Sequence, residues 1–165
     1  MPRRLPEPDP PPPLGAVAID GSNVVASAPG RAAERLALAL AWARAWRADL
    51  PLHVFFDHTL FGRCSEKERS AVRAVLGDTP FTVTPRGESA DPHLLRFAAA
   101  QRALLLTNDR FRDHGDLCRA VITLQFAIDG GHFAPHGEAT WFLPNGTARR
   151  VTLAELQRRG APATG

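Results

Sequence analysis

The chain has 165 residues, of which 44% are hydrophobic and 22% charged, with a formal net charge of +3. These values describe one globular domain that buries roughly two thirds of its unfolded surface, which excludes the disordered and disulfide-scaffold classes. The longest apolar run, residues 36–46, is interrupted by Arg44 and is too short to cross a bilayer.

The first stretch, residues 1–14, holds seven of the 15 prolines and reads as an extended tail. Arg3 and Arg4 run into proline rather than an apolar signal core, so a cytoplasmic protein is expected. Residues 16–19 are a short apolar run closed by Asp20-Gly21, which predicts a buried strand. Residues 31–47 predict a helix, ended by Pro51, and residues 52–56 a second strand. Residues 65–76 open with a capping-box pattern, Ser65 and Glu68, and close on Gly77. Residues 81–84 give a third strand. Asp91 before Pro92 reads as an N-cap and first-turn proline of a helix reaching about residue 102. Residues 103–106 form a fourth strand ending at Thr107-Asn108-Asp109. A short helix is expected over 113–119 and a fifth strand over 121–128, which Asp129-Gly130-Gly131 turns into a hairpin through 132–134. Residues 140–142 add a strand, 152–159 a last helix, and 161–165 a frayed end. Short apolar strands alternating with helices predict an α/β fold, a three-layer α/β/α sandwich on a mostly parallel sheet, over one domain of residues 15–160.

In open parallel sheets ligands bind beyond the carboxyl ends of the strands, where strand order reverses. Asp20, Asp57 and Asp109 end strands, and Asp91 opens the helix after the third strand. Carboxylates gathered at one rim repel and raise one another's pKa. A divalent cation removes that penalty, and oxygen ligands of this kind suit Mg²⁺ or Mn²⁺. Taken singly, Asp20 before glycine is equally a turn former and Asp91 a helix cap. The basic residues are all arginine except Lys67; arginine suits phosphate recognition, although a GC-rich genome explains the same bias. Cys64 and Cys118 lie too far apart to form a ligand pair and are expected as reduced thiols. His58, His114, His132 and His136 have no metal-ligand spacing, and Trp42 and Trp46, one helical turn apart, predict core or a partner face.

Three segments carry a resemblance. AIDGSNV (residues 18–24) resembles the opening strand motif of NYN domains, a branch of the PIN-like nucleases. ADPHLLRFA (90–98) resembles their acidic helix start, and TNDRFRD (107–113) is similar to their third motif. The order matches over residues 15–135, and the Regnase-like NYN ribonucleases, found beside CCCH zinc fingers, are the nearest branch by these motifs. The resemblance implies a Rossmann-like PIN fold and a Mg²⁺- or Mn²⁺-dependent endoribonuclease acting on single-stranded or looped RNA. It implies that Asp20, Asp91 and Asp109 hold the metal, that Asp113 completes the acidic pocket, and that Asn23 orients a water or phosphate oxygen. The chemistry implied is in-line attack of an activated water on a phosphodiester.

Two departures stand out. The branch has two adjacent aspartates at the helix start; here the first position is Ala90, and Glu88 is the candidate substitute. The basic loop after the third strand is shortened to residues 86–88, so RNA contact falls to Arg86, Arg110, Arg112 and Arg63. RNA, a targeting protein and a second copy of the chain are the expected partners; no membrane is. A weakened, non-catalytic RNA-binding module is the first alternative, and a PIN-class toxin or a Mg²⁺-dependent phosphatase the next. A haloacid-dehalogenase-type phosphatase needs a second aspartate where this chain has Ser22.

Overall fold

The computed structural model describes residues 9–26 and 31–158. The expected tail up to residue 8, residue 159 of the last helix and the end at 161–165 lie outside those residues. Of the remainder of the expected tail, Leu14 is buried in the core and the Asp9 carbonyl accepts from Arg149 at 2.6 Å.

Strands β1 (Ala16–Asp20), β2 (Leu52–Phe56), β3 (Phe81–Val83), β4 (Ala103–Leu106) and β5 (Ile122–Leu124) pair in parallel in the order β3-β2-β1-β4-β5. The sheet continues antiparallel through β8 (Glu138–Phe142) to β9 (Ala148–Thr152). A separate hairpin joins β6 (Phe126–Asp129) to β7 (His132–Pro135) across Gly130 and Gly131, whose φ values of 52° and 82° are those a tight two-residue turn requires.

The strands are apolar on both faces because both are covered. Val17, Ile19, Val54, Phe56, Leu104 and Leu106 meet α1 (Gly21–Val25), α2 (Ala32–Trp46) and α4 (Glu66–Leu76) in one core. Ala16, Ala18, Phe55 and Leu105 point the opposite way, onto α5 (Asp91–Gln101) and the loop holding Phe111 and Cys118. The two cores make the middle of the three-layer sandwich. Cys64 and Cys118 are both free thiols. Among the described residues no helix is long and apolar enough to cross a membrane.

Several elements differ from the sequence reading, each for a local reason. The single strand expected over 121–128 is two. The Phe126 amide donates to Asn108 Oδ1 at 2.9 Å instead of to a strand, and β6 leaves the sheet there. The helix expected over 113–119 is one 3₁₀ turn, Arg112–His114; beyond it the Leu117 and Cys118 amides both donate to the His114 carbonyl, isolated turn bonds that do not propagate a helix. Helix α3 (His58–Arg63) was not expected; Asp57 caps it by accepting from the Thr59 amide at 2.7 Å. Strand β9, rich in arginine, also escapes a reading by apolar pattern. The capping box at Ser65 and Glu68 is present as read. Trp42 and Trp46 stack with ring centroids 5.4 Å apart, and Phe133 of the hairpin packs on Trp42 at 5.4 Å, so the pair lies partly buried against the core.

Candidate active site

The strand order reverses between β1 and β4, and the candidate site lies at their carboxyl ends. Asp20 closes β1 and is 5% exposed. Its Oδ1 accepts from the Asn23 amide at 3.0 Å, which caps α1, and its Oδ2 accepts from the Thr107 hydroxyl at 2.8 Å. The chain can turn this sharply because Gly21 lies against the sheet: a Cβ there would fall 2.5 Å from Phe56 Cε1.

Thr107, fully buried at the end of β4, also accepts from the Asp109 amide at 3.1 Å, and Asp109 Oδ1 accepts from the Phe111 amide at 2.7 Å. One threonine thus fixes the positions of two aspartates. Asp91 enters from the other side. It is not the N-cap expected from the sequence: Ala90 occupies that place without a side-chain bond, and Asp91 is the first residue of α5. The Ser89 hydroxyl accepts from the Asp91 amide at 3.2 Å and also eases the Asp91 carboxyl's pKa downward. Its Oδ2 lies 3.6 Å from His114 Nε2.

The electrostatics tie these groups together. Burial pushes the Asp20 carboxyl up from 3.8 to about 6; the bonds from Asn23 and Thr107 oppose this, and the charges of Asp91 and Asp109 add to it. Asp91 is likewise raised, by burial first and then by Asp109, while His114 lowers it. Asp57 adds a further, smaller push on Asp91. Asp20, Asp91 and Asp109 therefore share one field.

The other expected residues stand apart from it. Asp113 is exposed on the 3₁₀ turn, and no bond or charge interaction links it to the three aspartates. Asn23 contributes its backbone to Asp20, while its side-chain oxygen accepts from the Asn108 amide at 3.0 Å, holding the ends of β1 and β4 together. Glu88 turns away to His93, 2.9 Å from its ring nitrogen. Ala90 is buried among Phe55, Leu94 and Leu95, so the place of the branch's first aspartate is occupied here by core packing. Arg63, Arg86, Arg110 and Arg112 are exposed and have no carboxylate partner among the described residues. Sequence reasoning assigned no role to Thr107 or His114: Thr107 opens the third motif but acts through its bond to Asp20, 87 residues away, and His114 through Asp91.

Among the described residues no group of three His, Cys, Asp or Glu side chains is placed to hold a metal ion by itself. The donor set still fits a hard divalent cation. Mg²⁺ uses only one or two carboxylates and keeps several waters, and carboxylates with raised proton affinity and no arginine or lysine partner gain most from one.

Two solved structures of PRORP2, the nuclear protein-only RNase P 2 of Arabidopsis thaliana, superpose on this chain with TM-scores of 0.56 and 0.54 at 15% identity. The matches cover 79% and 82% of this chain but 34% and 35% of those chains, so this chain spans about a third of their length. The T5 D15 protein co-crystallised with metal ions is more distant, with a TM-score of 0.45 at 12% identity over 72% of this chain and 56% of that one. No family model matches the chain, and no curated protein does. At this identity the likeness is one of fold alone, a mostly parallel α/β/α arrangement.

Proposed function

We propose that the chain is a metal-dependent endoribonuclease that hydrolyses phosphodiester bonds of single-stranded or looped RNA at the Asp20–Asp91–Asp109 rim. One observation carries this reading: Asp20 is buried at the topological switch point, its pKa is raised by burial and by two neighbouring aspartates, and it has no cationic side chain beside it. A carboxylate held in that state is unfavourable for a structural role alone.

Asp20, Asp91 and Asp109 would hold Mg²⁺ or Mn²⁺. When bound, the cation supplies charge neutralisation at the phosphate and a more acidic water. Thr107 and the Asn23 amide keep the Asp20 oxygens in place, and the His114 ring lies beside Asp91 at 3.6 Å. Asp113, exposed on the neighbouring turn, is retained as an outer member of the pocket. The fold shared with PRORP2, whose name declares an RNase, supports RNA as substrate. Within the PIN-like nucleases, closeness to the Regnase-like NYN ribonucleases rests on the three sequence motifs. A phosphatase reading gains nothing, since Ser22 stands where the second aspartate would be needed and its hydroxyl accepts from the Asp57 amide at 2.6 Å.

Ala90 favours one second reading, an RNA-binding module without catalysis. Incubating labelled single-stranded RNA with the chain in Mg²⁺ and in EDTA separates the two. Internal cleavage only in Mg²⁺ is expected; binding in both conditions with no cleavage in either overturns the nuclease reading.

A further inference from the structure

Beyond the acidic rim, the ends of β1, β4 and β5 are stitched by a short relay of amides. Asn23 Oδ1 accepts from the Asn108 backbone, and Asn108 Oδ1 accepts from the Phe126 backbone. Each asparagine thereby spends its oxygen on the protein, and among the described residues its NH₂ has no protein acceptor. Both side chains line an open groove of about 420 Å³ whose other walls include Ala26, Arg35, Ala127 and Ile128. That volume lies in the range of small-molecule sites.

Arg35 is the unusual member. Its Nε donates to the Val24 carbonyl at 2.7 Å, and no other bond or ion pair is formed by its guanidinium among the described residues. Arg47, Arg69 and Arg149, the other described arginines that are at least partly buried, each face a carboxylate: Asp49 at 2.7 Å, Glu66 at 2.8 Å and Glu155 at 3.6 Å. Arg35 has Arg31 as its charged neighbour instead, and Arg31 is paired with Glu34. This partly desolvated guanidinium lies next to a like charge, in a groove whose described lining combines two amides with apolar residues and holds no carboxylate, a setting that suits an anion.

We propose that this groove binds the RNA strand next to the cut, with Arg35 and the Asn23 and Asn108 amides on a phosphate and the adjoining nucleoside over Ala127 and Ile128. The proposal rests on the nuclease reading for its ligand, but not on the metal. It also separates labour at the rim: the aspartates repel an RNA backbone, so a donor-lined surface sharing Asn23 with them is needed to seat it. Planar guanidinium and amide donors suit phosphate oxygens.

The test is binding of a 5′-fluorescein-labelled single-stranded decaribonucleotide, followed by anisotropy in EDTA, where the metal plays no part. Ala127→Glu places a charge in the groove without removing any protein bond, and about tenfold weaker binding is expected, with Ala127→Lys no weaker than the parent. Arg35→Met should reduce the slope of log affinity against log salt by about 0.7, one phosphate contact on a single strand, which a loss of packing alone would not do. Because Arg35 also braces α1, the Ala127 pair stands as the control against misfolding. Unchanged affinity in Ala127→Glu and an unchanged salt slope in Arg35→Met overturn the proposal, as does failure of the parent chain to bind. Groove-dependent binding with no cleavage in Mg²⁺ instead supports the groove and removes the nuclease reading alone.

Discussion

Two neighbouring strands of this sheet end alike and reach different chemistry. β1 closes on Asp20 and β2 runs into Asp57, and each carboxylate caps the helix that follows, from Asn23 at 3.0 Å and Thr59 at 2.7 Å. Asp57 stays partly exposed near the edge strand β3. Asp20 lies between β2 and β4, is buried, and receives the Thr107 hydroxyl as well. The same local motif is thus a cap in one place and a charged centre in the other. The difference is depth in the sheet: a cap beside solvent stabilises at little cost, whereas one drawn into the middle loses hydration that two hydrogen bonds only partly replace.

The comparison is most exposed to Asp20→Asn, which should lower Mg²⁺-dependent RNA cleavage by at least about 100-fold with the fold intact by circular dichroism. Asp57→Asn should change it by less than about threefold. Equal losses in the two variants would put the centre elsewhere.

Stability against pH gives the next largest effect. Because the folded pKa of Asp20 is raised from 3.8 to about 6, its contribution is fully present below about pH 4 and is lost as pH rises through about 6. The ionised carboxylate then costs up to about 3 kcal/mol. Asp20→Asn, which cannot ionise, should therefore gain stability relative to the parent between pH 4 and pH 8 in EDTA, measured by urea unfolding. Mg²⁺ should raise the Tm of the parent and of Asp57→Asn but not of Asp20→Asn. A relative stability of Asp20→Asn that falls with pH would contradict the assigned environment.

Thr107→Val removes a donor to Asp20 and an acceptor for the Asp109 amide, and about 1–3 kcal/mol of stability should go with them. Losing the donor also shifts the Asp20 midpoint upward, visible as a more alkaline rise in the pH profile of cleavage. The smallest effect belongs to Asp57→Ala, a lost helix cap worth about 1 kcal/mol with little bearing on the metal response.

How much of this could be read beforehand depended on whether the cause was local. Strands over 52–56 and 103–106, the Ser65 capping box and the Gly130-Gly131 turn follow from apolar runs and turn chemistry within a few residues, and the structure has them in place. The end of β5 did not follow, because the bond that diverts Phe126 comes from Asn108, 18 residues away. Helix α1 hid inside a segment that also reads as a turn, and the arginines of β9 masked an edge strand whose outer side needs no apolar residue.

For the site, the sequence by itself determined that Asp20 and Asp109 stand at strand ends and Asp91 at a helix start, since apolar periodicity sets where elements stop. Only the tertiary structure decided which of these acids share a field. Parallel crossovers bring β1 beside β4, 87 residues apart at the Thr107–Asp20 bond, and leave Asp113 exposed on its turn and Glu88 on His93. Burial, too, is a property of the assembled sheet: the depth that raises Asp20 comes from β2 and β4 on either side, and no stretch of β1 alone contains it.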